Sequence, residues 1–224
     1  MTADHEDASR IAVPKKGDRL FRGDLRDWMN NACLNVMGNG DPYAYKAGYR
    51  RGAEILIDYV CQNGRDQDFL VYPIIFLYRH HLELMLKRVI RCVPYLIDAR
   101  LTNEQKQHLE KHRLDLLWKD LKKLLPAVCK AAGWEEELDA RLIEGIDSYI
   151  RQLSKLDADS FSFRYSHSKK GQPSLPRNLK NINLRHFGDL MGRLANWLYG
   201  MDEAVSCMVE SKAEMETELA NEAG

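Results

Sequence analysis

The stretch FLVYPIIFLYRHHLELMLKRVIR, residues Phe69–Arg91, decides how the rest of the chain folds. It is the most apolar part of the sequence, and its pattern predicts a central helix over about Gln67–Val93. Pro73 is compatible with that helix only in its first turns or at a kink. On a helical wheel the apolar residues form one broad arc that ends beside Arg79 and Glu83. The sequence therefore predicts a core helix that carries charged side chains along one edge.

The charged edge of the central helix, Arg79, His80, Glu83 and Lys87, is called the ionic edge below. Glu83 follows Arg79 by four residues and precedes Lys87 by four, a spacing at which opposite charges pair along a helix. An unpaired charge at the margin of a core would be costly. The ionic edge is therefore either a structural ion-pair ladder or the wall of a ligand-binding polar site, and the sequence leaves both interpretations open.

Apolar residues at helical spacing predict helices on the N-terminal side of the central one. We expect a short helix over Asp24–Val36 and a longer one over Pro42–Gln62, with a proline in its first turn. Residues 1–19 are polar, and we expect them to form a mobile arm.

Two further helices are predicted directly after the central one. Thr102-Asn-Glu-Gln105 has the form of a capping box and predicts a helix start at Asn103. That helix runs on or breaks near His112, before an apolar stripe, and we expect Pro126 to bend or end the second helix. The stripe consists of Leu114, Leu117, Trp118, Leu121, Leu124 and Leu125.

Helical periodicity continues over Trp134–Leu156, stops over residues 157–183 and resumes over about Leu184–Met208. The interrupting segment alternates aromatic with polar residues and contains two prolines, so we predict a short strand or hairpin and then an irregular loop. Residues 209–224 read as an acidic tail that frays. The fold class is therefore all-α: a single-domain helical bundle of five to six helices over residues 20–208, with one irregular loop.

The formal net charge of zero hides an uneven distribution of charge. The chain holds 33 Lys plus Arg and 33 Asp plus Glu, which argues against coating nucleic acid by bulk charge but not against a local phosphate-binding patch. Residues 160–200 hold seven Lys or Arg and one acid, whereas residues from 202 onward hold seven acids and one lysine. The two segments are either solvated surfaces or a basic face that meets phosphate or an acidic partner.

Several classes of protein and site are disfavoured by the sequence. The five cysteines are scattered without a Cys-x-x-Cys pair, as expected for reduced core thiols of a cytoplasmic protein. The longest apolar run is about half of a membrane span, so we expect no membrane association. The adjacent His80 and His81 lack the spacing of a metal site, and we expect neither a metal nor a cofactor.

A second polar cluster lies in the segment 159–167, DSFSFRYSH. A guanidinium binds a carboxylate with two parallel hydrogen bonds, and we expect Arg164 to reach Glu83 or Asp159 in this way. His167 is either a general acid or base or a solvated loop histidine. The sequence therefore predicts that the ionic edge contacts this segment.

The runs YPIIFLYRHHLELMLKRVI, KHRLDLLWKDL and DADSFSFRYSHSKKG resemble a group of bacterial helical proteins related to HEPN domains, over about Phe69–Gly171. The resemblance implies an all-α homodimer and an association with RNA cleavage, toxin–antitoxin pairs or phage defence. Ribonuclease HEPN domains share an Arg followed four to six residues later by His. Arg164 and His167 are three residues apart, and no pair in this chain has the ribonuclease spacing.

Three hypotheses for the function follow. The leading one is a HEPN-like protein that binds RNA, a nucleotide or a protein partner through the ionic edge and the basic segment 164–193. The second is a metal-independent ribonuclease, in which Arg164 stabilises the phosphate and His167 acts as general acid or base. The third is a purely structural interaction module whose acidic tail meets a partner.

Overall fold

The computed structural model describes residues 13–14, 16–34, 42–134 and 139–222, and the fold over these residues is all-α, as predicted. The helices are α1 (Pro42–Asn63), α2 (Gln67–Leu96), α3 (Asn103–Leu109), α4 (Leu114–Ala132), α5 (Ala140–Leu156) and α6 (Leu184–Glu222). None of the helices in these ranges is both long enough and apolar enough to cross a membrane. The chain divides into two units, Met1–Asp41 and Pro42–Gly224.

Helix α2 is the central helix of the second unit, as the apolar stretch predicts. It packs against α1, α4 and α6, so its side chains are covered on several sides and an apolar surface nearly all round is stable. Its buried residues include Arg79 and Glu83, each 1% exposed. The buried set is Ile74, Ile75, Tyr78, Arg79, His81, Leu82, Glu83, Met85, Leu86, Val89, Ile90, Val93 and Pro94.

Prolines lie inside two helices without ending them. Pro73 is in the second turn of α2, and Pro126 is in α4, which continues to Ala132. A proline removes the hydrogen bond to the carbonyl four residues earlier. Those carbonyls belong to Phe69 and Lys122, which are exposed, so water can satisfy them. Of the two expected outcomes at Pro126, a bend or an end of the helix, the structure excludes the end.

The break between α3 and α4 lies where the sequence allowed for one. Thr102 Oγ1 accepts from the Gln105 amide at 3.2 Å, and Gln105 Oε1 accepts from the Thr102 amide at 2.9 Å, which completes the predicted capping box. Helix α3 ends at Leu109 and α4 begins at Leu114. The apolar stripe of α4 faces the core, where Leu114, Leu117, Leu121 and Leu125 are fully buried.

The segment between α5 and α6 contains a turn where a strand was predicted. The amides of Arg164 and Tyr165 both donate to the Phe161 carbonyl, at 3.0 and 3.1 Å, so the chain curls here instead of extending. A single antiparallel bridge joins His167 to Pro173. The predicted strand is therefore absent from residues 157–183, and the predicted hairpin reduces to one bridge.

Helix α6 continues to Glu222, well beyond the predicted end at Met208. Lys212 Nζ donates to the Tyr95 carbonyl at 2.8 Å, and the Tyr95 hydroxyl donates to Glu216 at 2.6 Å. These contacts attach the acidic part of α6 to the end of α2. The expectation of a frayed tail is therefore wrong for the residues up to 222.

Helix α5 begins at Ala140, later than the predicted start at Trp134, which is not helical; residues 135–138 lie outside the described part of the chain. Gly133 ends α4 with φ 70°, and the Trp134 amide donates to the Cys129 carbonyl at 2.8 Å. Only a residue without a side chain adopts such a φ easily, so the glycine sets the end of α4.

In the first unit, the helix predicted over Asp24–Val36 is reduced to one 3-10 turn, Trp28–Asn30. The Asp24 amide donates to the Asn31 side-chain oxygen, and the Asn31 side-chain amide donates to the Asp24 carbonyl, both at 2.9 Å. Such side-chain bonds compete with helix formation. Residue 36 and most of the predicted arm over 1–19 lie outside the described residues.

The cysteines are all free, but they are not all in the core. Cys129 is buried and Cys61 and Cys92 are half-buried, whereas Cys33 and Cys207 are exposed. The expectation of core thiols is wrong for the last two.

Removing the N-cap of α3 tests the predicted capping box. We expect Thr102→Ala to lower the free energy of unfolding by about 1 kcal/mol, because the Gln105 amide loses its acceptor. Thr217→Ala, at an exposed position within α6, is the matched control and should change it by less than about 0.5 kcal/mol. Urea denaturation followed by circular dichroism measures both, and equal losses in the two variants would contradict a capping role.

Candidate functional site

Arg79 is the centre of a buried polar cluster. Its guanidinium donates to the backbone carbonyls of His112, of Asp157 at 3.2 Å and of Ala158 at 3.0 Å. It also pairs with the carboxylates of Glu83 and Asp157, each at 3.3 Å. The carbonyls at the end of α5 have no partner within their own helix, and the negative end of that helix favours a cation. One side chain of α2 therefore holds the α3–α4 turn and the end of α5.

Glu83 extends this cluster along α2 in the way that its spacing predicts. Its carboxylate accepts from Lys87 Nζ at 2.8 Å and from His112 Nδ1 at 2.8 Å. Burial by itself raises the pKa of the Glu83 carboxyl, but the hydrogen bonds and positive charges of Lys87 and His112 outweigh burial, so that the pKa lies below its ordinary 4.5. Arg79, Glu83 and Lys87 of the ionic edge thus form an ion-pair ladder, with the Arg79 and Glu83 side chains buried.

Asp157 joins the cluster to the turn that follows α5. Its Oδ1 accepts from the amides of Phe161 at 2.6 Å and Ser162 at 2.8 Å, while Oδ2 faces Arg79. The side chain is 3% exposed. The sequence predicted a contact between the ionic edge and residues 159–167; the structure places that contact at residues 157–158, and Asp157 carries it into the segment.

Arg164 does not make the contact expected of it. Its guanidinium donates to the Ser160 carbonyl, and it lies 5.5 Å from the ring centre of Phe76 and 5.6 Å from that of Tyr165. It therefore lies against aromatic rings and not against either of the predicted carboxylates, Glu83 or Asp159. The orientation differs because the expectation assumed an extended backbone.

His167 and Asp159 are both exposed and lie outside the buried cluster. The one hydrogen-bond partner of the His167 ring within the described residues is Ser166 Oγ, 3.1 Å from Nδ1. Arg164 is likewise exposed. The structure therefore leaves the two candidate catalytic residues on a surface loop, where Arg164 donates to the Ser160 carbonyl instead of to a carboxylate of the ionic edge.

His80 belongs to an aromatic group and not to the ladder. Its ring stacks on Phe76 with the centres 5.8 Å apart and meets the edge of Tyr49 at 4.3 Å. Burial lowers the pKa of His80, which favours the neutral ring.

A second buried cluster, which the sequence analysis missed, joins α1, α2 and α6. Lys46 Nζ forms an ion pair with Asp202, whose side chain is 4% exposed, and Arg88 Nε lies 3.8 Å from the same carboxylate. The His81 Nδ1 lies 2.9 Å from the Lys46 carbonyl oxygen. A signal was present, because Lys46 falls on the helical stripe of the core residue Ala53.

The second cluster contains one histidine, His81, whose pKa is strongly lowered. Burial lowers its pKa to about 4, against the opposing hydrogen bond to the Lys46 carbonyl. The ring is 2% exposed, and Nε2 has no hydrogen-bond partner among the described residues. A buried polar atom without a partner is uncommon and needs an explanation.

A buried histidine–aspartate pair joins α3 to α4. His108 Nδ1 lies 2.7 Å from Asp120 Oδ2, and Glu104 lies 3.8 Å from His108 Nε2. Each of the two buried residues occupies a helix position that faces the other helix, so the pair holds the short α3 in place.

No group of three or more His, Cys, Asp and Glu side chains in the described ranges is arranged to hold a metal ion. Comparisons with protein-family models, with curated proteins and with solved structures give no match. We therefore infer the function from the residues of this chain alone.

Neutralising Glu83 tests the buried cluster. We expect Glu83→Gln to lower the free energy of unfolding at pH 7 by about 3 kcal/mol, because it leaves buried positive charge with fewer partners. The folded-state pKa of Glu83 is lowered, so its contribution is complete above pH 4.5 and is lost as the pH falls further. The difference in the free energy of unfolding between wild type and Glu83→Gln should therefore become smaller as the pH falls below 4.5. Glu144→Gln, exposed on α5, is the control, and an equal loss there would contradict this assignment.

The pH dependence of stability tests His81. The folded pKa of about 4 lies below the ordinary 6.5, so the stabilisation is complete above pH 6.5 and is lost as the pH falls to 4. We expect a loss of about 3 kcal/mol across that range. His81→Asn, whose amide can still donate to the Lys46 carbonyl, should flatten the profile, and the exposed control His186→Asn should retain it. A wild-type profile that is flat between these pH values would refute the assignment.

Proposed function

We propose that this chain is a HEPN-like helical protein that binds single-stranded RNA through residues 164–185, the basic loop. The observation that carries the proposal is the exposed pair Arg164 and Tyr165, in which a guanidinium lies 5.6 Å from the centre of a half-exposed ring. Aromatic faces that stack on bases, combined with cations that follow the backbone, are the usual means of binding single strands.

Charge in the basic loop supports an anionic partner. The loop contains six Lys or Arg and no Asp or Glu. All six are exposed: Arg164, Lys169, Lys170, Arg177, Lys180 and Arg185. Since the whole chain is neutral, the attraction would be local to this loop and would not come from the bulk charge.

Aromatic geometry favours single-stranded RNA over a duplex as the partner. Tyr165 is 53% exposed, and its ring stacks on Phe161 with the centres 4.6 Å apart. The neighbouring ring fixes the orientation of Tyr165, so a base can stack on it at little entropic cost. Bases in a duplex are already stacked and offer no free face to such a ring.

The ionic edge is assigned a structural role in this proposal. Arg79 and Glu83 are each 1% exposed, and their polar atoms bind protein groups. A ligand would have to break buried ion pairs to reach them, which is costly. The HEPN resemblance also implies a homodimer and a role in a toxin–antitoxin pair or in phage defence, and both stay predictions.

Alanine substitution of paired lysines tests RNA binding. We expect Lys169→Ala with Lys170→Ala to weaken binding of a labelled single-stranded RNA and to reduce the slope of log affinity against log salt by about 0.7 for each phosphate that the variant no longer binds. The control, Lys123→Ala with Lys130→Ala, removes the same charge from exposed positions on α4 and should leave the slope unchanged. Fluorescence anisotropy at several salt concentrations measures both.

Tyr165→Ala separates stacking from charge. It should weaken binding about tenfold, within the range for removal of one base–aromatic stack, without altering the salt slope. An affinity that does not depend on salt would overturn the proposal. The bound RNA is also recovered in EDTA: intact RNA supports binding alone, whereas cleavage that His167→Ala abolishes would support the ribonuclease hypothesis instead.

A further inference from the structure

A cavity of about 470 Å³ lies between the first turns of α2 and the basic loop. Gln67, Asp68 and Tyr72 line it from α2, and Lys180 and Asn181 line it from the loop. Its volume is within the range of roughly 300 to 1,000 Å³ that is usual for small-molecule sites. Because the basic loop forms one wall of the cavity, an RNA strand bound along the loop has direct access to it.

The hydrogen-bonding side chains that line the cavity are available to a ligand. Gln67, Asp68, Lys180 and Asn181 are all exposed. Within the described part of the chain, their side chains take part in no hydrogen bond or ion pair, and Asp68 and Lys180 do not pair with each other. A ligand can therefore bind these groups without breaking an existing contact.

The charges around the cavity decide which part of a nucleotide enters it. Two of the lining residues are charged, Asp68 and Lys180, so their charges cancel. The cations of the basic loop attract the phosphates of a strand, whereas the carboxylate of Asp68 repels a phosphate. The phosphates are therefore held along the loop, and the base, which is neutral, is the part that enters.

The other walls of the cavity suit a planar base. Tyr72 lines the cavity and is 46% exposed, so its ring offers a face on which a base can stack. The remaining lining side chains are apolar: Val71, Phe163, Leu175, Leu179 and Ile182.

Asp68 distinguishes between the four bases. A carboxylate accepts hydrogen bonds and donates none. Guanine presents two adjacent donors, N1–H and N2–H, which match the two carboxylate oxygens. Adenine and cytosine present one donor beside a ring nitrogen that only accepts, and uracil presents one donor between two carbonyl oxygens, so each of these places a lone pair against the carboxylate. The amides of Gln67 and Asn181 can donate to the guanine O6.

We propose that this cavity holds one guanine base of the bound RNA, with Asp68 accepting from N1–H and N2–H, Tyr72 stacked on the base and Lys180 bound to the adjoining phosphate. This inference rests on the proposed binding of single-stranded RNA and adds a base preference to it.

Short labelled RNAs that are uridine except at one central position test this site, with the whole chain at pH 7 and fluorescence anisotropy as the measurement. The RNA with a central guanosine should bind about tenfold more tightly than those with adenosine, cytidine or uridine, within the range for one bidentate contact. Inosine lacks the N2 amine and should bind more weakly than guanosine. Equal affinities that fall steeply with salt would overturn the guanine site and leave RNA binding by the loop intact, whereas no binding of any RNA would overturn both proposals.

Asp68→Asn tests the residue that reads the base. One carboxylate oxygen becomes an amide that donates, so the preference for guanosine should be lost while the RNA with uridine throughout still binds. Asp58→Asn, at an exposed position on α1, removes the same charge and should keep the tenfold preference. The ratio of affinities is the readout, because both variants change the net charge equally. A guanosine preference that persists in Asp68→Asn would place the base elsewhere and refute the site.

Discussion

The rest of the bundle depends on the ion pairs and hydrogen bonds of one buried group, the guanidinium of Arg79. A charge removed from water costs several kcal/mol unless it is paired and hydrogen-bonded. Arg79 meets two carboxylates and three carbonyls that come from α2, the α3–α4 turn and the end of α5. A lysine has three donors on one atom, whereas the guanidinium spreads five over a rigid fork. Only arginine can bind all of these groups at once.

The second buried cluster places a comparable constraint on the other side of α2. His81 is two residues after Arg79, about 200° around the helix, and it faces α1. Lys46 and Asp202 are then held where α1 and α6 meet. The central helix therefore has polar contacts on opposite sides, which explains how a largely apolar helix is fixed in rotation. Apolar packing alone is compatible with several rotations of α2 about its axis, whereas the buried ion pairs form in only a few of them.

Local patterns in the sequence were enough to predict most of the helices and the ladder. The spacing of Arg79, Glu83 and Lys87 is a property of one helix, and the capping box at Thr102 involves four consecutive residues, so both could be predicted. Asp157 could not be assigned to Arg79, because 78 residues separate them and no periodicity connects them. Arg164 was misplaced for a related reason: the turn around it is set by the side chain of Asp157, and the alternating aromatics suggested a strand.

The same limit applies to the end of α6 and to the second cluster. The acidic residues after Met208 have no apolar stripe that predicts burial, and the contacts of Lys212 with Tyr95 span 117 residues. Lys46 and Asp202 are separated by 156 residues. In each case the side chain meets its partner only after the helices have packed. The contact therefore depends on the tertiary structure and cannot be predicted from local sequence patterns.

The distance along the chain between Arg79 and Asp157 has a consequence for the folding order. If α2 packed against α1 and α4 first, the guanidinium would lose water before Asp157 and the carbonyls at the end of α5 arrived, and Glu83 and the His112 carbonyl would be its only partners. Such a state is disfavoured by several kcal/mol. Desolvation of α2 at this position should therefore coincide with docking of α5. The ion pair between Arg79 and Asp157 would therefore couple the packing of α2 to the packing of α5, so that the bundle folds cooperatively and partly folded forms are little populated.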